Sequence, residues 1–107
     1  MLIKSKRSVF LIAGLLFSLS AQADPIPAER VKMLAGSCAN CHGTEGRLTG
    51  AVPALAGRPA STLETTLLSF KHDDDASVTV MNRITRGYSD EELAALADYF
   101  ANIDDQD

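Results

Sequence analysis

Apolar positions recur along the chain with a helical period in three separate stretches. From Ala28 onward, Val31, Leu34, Ala35 and Cys38 fall at i, i+3, i+4 and i+7, the spacing that lines one face of an α-helix. A second stretch begins near Pro59 or Ser61 and runs to about Lys71, with Leu63, Leu67 and Phe70 on its buried face. The third is the best delimited. Ser89 followed by Glu92 makes a capping box, Asp90 and Glu91 complement the positive end of the helix dipole, and Leu93, Leu96, Ala97 and Phe100 form an apolar stripe that ends near Asn102.

Between these stretches the period is lost. Gly43, Gly46, Gly50, Pro53 and Gly57 crowd residues 43–58, which predicts a loop without a regular element. A loop of that length in a small domain needs a surface to wrap over. Ser77 to Tyr88 is expected to be irregular as well, and Asp73-Asp74-Asp75 reads as a solvated turn in preference to a calcium site. The fold class that follows is all-α, three main helices and loops.

The first residues follow a different rule. Lys4, Lys6 and Arg7 precede an apolar run from Val9 to about Leu19, and Ala21-Gln22-Ala23 supplies a small-polar-small cleavage pattern. The run is shorter than the roughly 20 residues a membrane-spanning helix needs. Residues 1–23 are therefore read as a cleaved signal peptide, residues 24–107 as one domain, and the periplasm as its location, with no permanent membrane anchor. The 107-residue chain has 10 Lys and Arg against 14 Asp and Glu, a formal charge of −4. Cleavage removes three basic residues and no acidic one, so the mature chain carries seven against fourteen, or −7. That balance argues against a nucleic-acid partner and favours docking to a surface with some positive charge.

In an exported chain, two cysteines three positions apart could form a disulfide, work as a redox dithiol, supply half a zinc site or carry haem. Their neighbour decides between these. Cys38-Ala39-Asn40-Cys41-His42 is the haem c attachment pattern. On a helical turn the three side chains at i, i+3 and i+4 point the same way, so two thiols meet the haem vinyl groups while the imidazole ligates iron. A zinc site would need a fourth ligand and only His72 remains, whereas a thioredoxin-like dithiol needs a strand that no alternation before Cys38 provides.

The sixth iron position then sets what the haem can do. Met33 lies five residues before Cys38, on the attachment side, and reads as core or surface. Met81 is 39 residues after His42 in a segment able to reach the far face, and is favoured over His72. A thioether opposite an imidazole raises the potential and leaves no open coordination position, which points to electron exchange without catalysis by this chain alone. Arg83 and Arg86 are candidates for pairing with the haem propionates, with solvated surface arginines as the equal alternative.

Taken together, a helix leading into Cys38-Ala39-Asn40-Cys41-His42-Gly43, a Pro-containing loop, a middle helix, a Met-bearing loop and a capped last helix resemble the class I cytochromes c. The resemblance implies a small fold wrapped around one covalent haem c. It also implies that a proline carbonyl, here that of Pro53, holds the second ring nitrogen of His42. A small residue, Ala35 or Gly36, would meet an aromatic one, Tyr99 or Phe100, where the first and last helices cross. Pro53-Ala54-Leu55-Ala56-Gly57, Leu67-Leu68-Ser69-Phe70-Lys71 and the run from Thr79 to Leu93 are more narrowly similar to the cytochrome subunit of flavocytochrome c sulfide dehydrogenase. That likeness implies a flavoprotein partner carrying FAD that oxidises sulfide, and a soluble cytochrome or similar electron acceptor. Some members carry two haem domains, whereas this chain has a single attachment motif and resembles a monohaem member. A free-standing electron shuttle is the alternative.

Overall fold

The computed structural model describes Gly14, residues 24–73 and residues 79–104. Apart from Gly14, the signal peptide read over residues 1–23 lies outside these residues, as do Asp74 and Asp75 of the acidic turn. The described residues form four helices: α1 (Ala28–His42), α2 (Ala60–His72), α3 (Val80–Thr85) and α4 (Asp90–Ala101). No strand occurs among them.

α1, α2 and α4 follow the apolar periods within a residue or two. α1 and α2 both start after a proline, Pro27 and Pro59, whose fixed φ suits a helix entry and whose carbonyl accepts the first helical bond, from Val31 and Leu63 respectively, each at 3.1 Å. α4 starts on the expected capping box: Ser89 Oγ accepts from the Glu92 N–H at 3.0 Å, and Glu92 Oε1 accepts from the Ser89 N–H at 2.9 Å.

Two expectations need correction. Ser77 to Tyr88 is not irregular throughout, because Val80–Thr85 forms the fourth helix, α3. Its start is a capping box with Asn82 at the third position where Glu or Gln is usual: Thr79 Oγ1 accepts from the Met81 N–H at 3.1 Å, and Asn82 Oδ1 accepts from the Thr79 N–H at 2.8 Å. A helix of six residues is too short for hydrophobic periodicity to declare it. The glycine-rich loop also contains a regular piece, a single 3-10 turn at Thr44–Gly46, with Gly43 and Gly46 at positive φ on either side of Glu45, itself left-handed at φ 56°.

α4 packs against both α2 and α1, and α3 packs against α2. The buried apolar cluster joins Val31 and Ala35 of α1, Leu63 of α2, and Leu96, Ala97 and Phe100 of α4. Of the two small residues considered for the α1–α4 crossing, Ala35 is buried and Gly36 exposed. Phe100 lies in this cluster with its ring edge-to-face against Tyr99, centroids 5.2 Å apart. The ring of Phe100 also covers Gly46, where an added Cβ would come within 2.9 Å of it, so the loop backbone approaches α4 closely enough that only glycine fits.

Loop residues 43–58 are stitched to both ends of the site. Leu48 N–H donates to the His42 carbonyl at 2.9 Å, Leu55 N–H to the Gly46 carbonyl at 2.7 Å, and Gly57 N–H to the Phe100 carbonyl at 3.0 Å. These bonds satisfy backbone groups that no helix or sheet would satisfy.

Candidate functional site

The helices and the loop enclose a cavity of about 450 Å³ whose wall includes Cys38, Cys41, His42 and Met81. α1 delivers the first three from one turn, as their spacing requires. The rest of the wall is mainly apolar, with Leu63, Leu67 and Phe70 from α2, and Leu93, Leu96 and Phe100 from α4. Leu67 and Phe70 are only partly buried by protein because they face this cavity, which accounts for the apolar stripe of α2 continuing beyond Leu63. Among the described residues no Asp or Glu lines the cavity, and the one lining side chain of permanent charge is Arg58.

His42 is buried, 6% exposed, and its Nδ1 donates to the Pro53 carbonyl at 2.6 Å. These are the two residues, eleven apart, that the family resemblance pairs. The bond sets the ring orientation and keeps the proton on Nδ1, leaving Nε2 as the basic nitrogen, and a hydrogen-bonded imidazole is a stronger donor to a metal. Gly43 then turns the chain out of α1 at φ 82°, and its N–H closes the helix on the Ala39 carbonyl at 2.9 Å.

Cys38 and Cys41 are both free thiols, so the disulfide reading of the pair does not describe this structure. Burial pushes the Cys38 thiol above its ordinary pKa, and Cys41 is exposed. Ser37 Oγ and Tyr88 Oη share a hydrogen bond of 2.6 Å at the cavity edge, tying the α3–α4 connection to α1 beside Cys38.

Met81 lines the cavity, Met33 is 68% exposed on α1 and does not, and His72 also stands outside it. The Nε2 of His72 is engaged with Asp90 Oδ1 at 2.8 Å, alongside Lys71 Nζ at 2.7 Å. Hydrogen bonds from Lys71 and then His72 hold the Asp90 carboxyl below its ordinary pKa. Arg83 and Arg86 are exposed and are not among the lining residues. Among the described residues the cation in the cavity wall is Arg58, which sequence reasoning did not single out: it ends the glycine-rich loop with no local signal, and only the fold brings it to the wall. Thr79 and Asn82 were missed as well, although the Thr-x-x-Asn spacing of a capping box was there to be read.

A cavity of this kind, apolar, with two thiols and an oriented imidazole in its wall, fits a haem held by two thioether bonds. The comparisons agree. The chain is 39% identical over 79 residues, 74% of its own length and 71% of the relative's, to the cytochrome subunit of sulfide dehydrogenase of Chlorobaculum tepidum. It is 31% identical over 70 residues to cytochrome c-554(548) of Halomonas halodenitrificans, covering 63% of this chain and 84% of that one. It is also 38% identical over 69 residues, 62% of its length, to the thiosulfate dehydrogenase electron acceptor of Stutzerimonas stutzeri, of which it spans 32%. The family model for cytochrome c matches residues 28–104, and with the thiols of Cys38 and Cys41 spaced for one covalently bound haem c, this chain belongs to the cytochrome c family.

Proposed function

We propose that this electron-transfer haem protein works in the periplasm as the cytochrome subunit that accepts single electrons from a flavoprotein oxidising sulfide. In this reading residues 1–23 direct export and are removed, Cys38 and Cys41 would form the thioethers, and His42 and Met81 would be the residues that ligate the iron. When bound, the haem supplies an iron that cycles between two oxidation states one electron at a time.

The protein's own residues make that cycle selective. Pro53 keeps the proton of His42 on Nδ1, so that Nε2 would be the neutral donor available to a metal. Met81, in the wall of the same cavity, would offer a soft thioether to the iron, a donor that would favour the reduced state and leave no position for exchangeable ligands. Leu63, Leu67, Phe70 and Phe100 keep water from most of the cavity wall. Among the described residues no carboxylate side chain lies in that wall, and none of them would therefore stabilise the oxidised iron. Of the arginines considered, Arg83 and Arg86 stand outside the wall, so Arg58, the one cation in the wall among the described residues, would be the residue placed to pair with a propionate.

The observation that carries the haem chemistry is the 2.6 Å bond from His42 Nδ1 to Pro53 at the wall of the apolar cavity. The partner rests on the 39% identity to a cytochrome subunit of sulfide dehydrogenase. Two experiments test these layers. Met81→Ala should abolish the far-red charge-transfer band of thioether-ligated ferric haem and let the reduced protein bind carbon monoxide, and persistence of the band would exclude Met81. Purification from the source organism should recover a stoichiometric flavoprotein; a monomer that never copurifies with one would leave the free shuttle as the reading.

A further inference from the structure

Asn82 sits at an unusual junction. It is buried, 7% exposed, and its amide is used at both ends. Nδ2 donates to the Phe70 carbonyl at 3.1 Å, while Oδ1 accepts from the Thr79 N–H at 2.8 Å and from the Thr79 hydroxyl at 3.4 Å. Phe70 lies in the last turn of α2, where carbonyls have no intrahelical partner, and Thr79 is the N-cap of α3. One side chain therefore caps the end of one helix and the start of the next.

Met81 lies inside this bracket. Its N–H donates to Thr79 Oγ1 at 3.1 Å and its carbonyl accepts from Thr85 Oγ1 at 2.8 Å, with Thr85 buried to 1% exposure. Both peptide groups of the methionine are thus held within α3. A six-residue helix has no stability of its own, because nucleation is unfavourable and few bonds follow it. Where α3 rests is decided by what ties it to α2, and a tie that joins them directly is Asn82 to Phe70.

We propose that Asn82 is a positioning residue for the axial thioether: by fastening α3 to the end of α2 it fixes the backbone from which Met81 reaches the iron. This rests on Met81 being the axial ligand. A helix cap alone would need only Oδ1 and Thr79; the inference assigns the function to Nδ2 and Phe70.

Substitution separates the two roles. Asn82→Asp keeps an acceptor for the Thr79 N–H and loses the donor to Phe70, whereas Asn82→Ala loses both. Ferric holoprotein of each variant is titrated with imidazole, which competes with the thioether for iron, and the far-red band is followed. Asn82→Asp should bind imidazole about tenfold more tightly than the unsubstituted protein, the factor expected for one buried hydrogen bond, and Asn82→Ala at least as tightly. If Asn82→Ala yields no holoprotein, Asn82→Asp, with its cap intact, carries the comparison alone. An unchanged imidazole affinity in Asn82→Asp, with the band lost in Met81→Ala, overturns the role of Asn82 and leaves the ligand standing. A band that survives Met81→Ala overturns both.

Discussion

Replacing Gly43 by alanine should be among the most damaging single-methyl additions in this protein, and its cost can be worked from the structure. Gly43 has φ 82° and ψ 168°, a region that side-chain-bearing residues almost never occupy. A methyl there would lie 2.6 Å from Leu48 Cβ and 2.8 Å from the Leu48 backbone nitrogen. Neither atom can give way by a side-chain rotation: the Cβ of Leu48 is placed by its backbone, and that backbone is held because the Leu48 N–H donates to the His42 carbonyl at 2.9 Å. Forcing the conformation costs about 1–3 kcal/mol. The overlap adds about 1–3 kcal/mol, and loss of the Leu48 bond about 1 kcal/mol. We expect a loss of about 5 kcal/mol, a large share of the roughly 5–15 kcal/mol that holds a domain folded. Guanidinium unfolding of purified holoprotein, followed by far-ultraviolet circular dichroism, measures it. Gly36→Ala is the comparison on the same helix: the added methyl meets nothing within 4 Å, and the helix should gain about 0.5–1 kcal/mol. Gly43→Ala unfolding within about 1 kcal/mol of the unsubstituted protein would refute the reasoning, since the backbone would then have relaxed without cost.

Three further outcomes are expected. Phe100→Ala removes a ring at 3% exposure that packs on Gly46 and Tyr99, and should lower stability by about 3–5 kcal/mol in the same unfolding assay. Asp90 and Glu92 both titrate below their ordinary values, Asp90 through hydrogen bonds from Lys71 and His72, Glu92 through the Ser89 N–H and then Arg30. A depressed carboxylate stabilises the fold above its unfolded pKa, so this contribution should fade as pH falls below about 4, and melting curves of an Asp90→Asn, Glu92→Gln double variant should show a weaker acid dependence; an identical profile would discount both pairs. Apoprotein made without haem should lose most of its helicity by circular dichroism, because the buried cluster is small and several apolar side chains of α2 face a cavity instead of protein; apoprotein as helical as holoprotein would contradict this.

The features legible in the chain were those with a local cause. The faces of α1, α2 and α4 repeat every three or four residues, so Val31, Leu63, Leu93, Leu96 and Phe100 declare their burial without knowledge of any neighbour. Ser89 and Glu92 declare a helix start for the same reason, and Cys38, Cys41 and His42 are brought together by one turn of helix whatever the rest of the chain does. α3 escaped notice because six residues are too few to show a period, and its cap uses Asn82 in place of the usual Glu or Gln.

What only the tertiary structure decided is everything that joins segments distant in the chain. It placed Pro53 against His42 and Arg58 at the cavity wall, left Arg83 and Arg86 outside that wall, turned His72 toward Asp90, and brought the Asn82 amide to Phe70. The physical reason is one of range. Helix periodicity and capping depend on the nearest few residues and are written in their order, whereas a contact across eleven or more positions depends on how whole helices dock, which side-chain volume and backbone hydrogen bonding settle together.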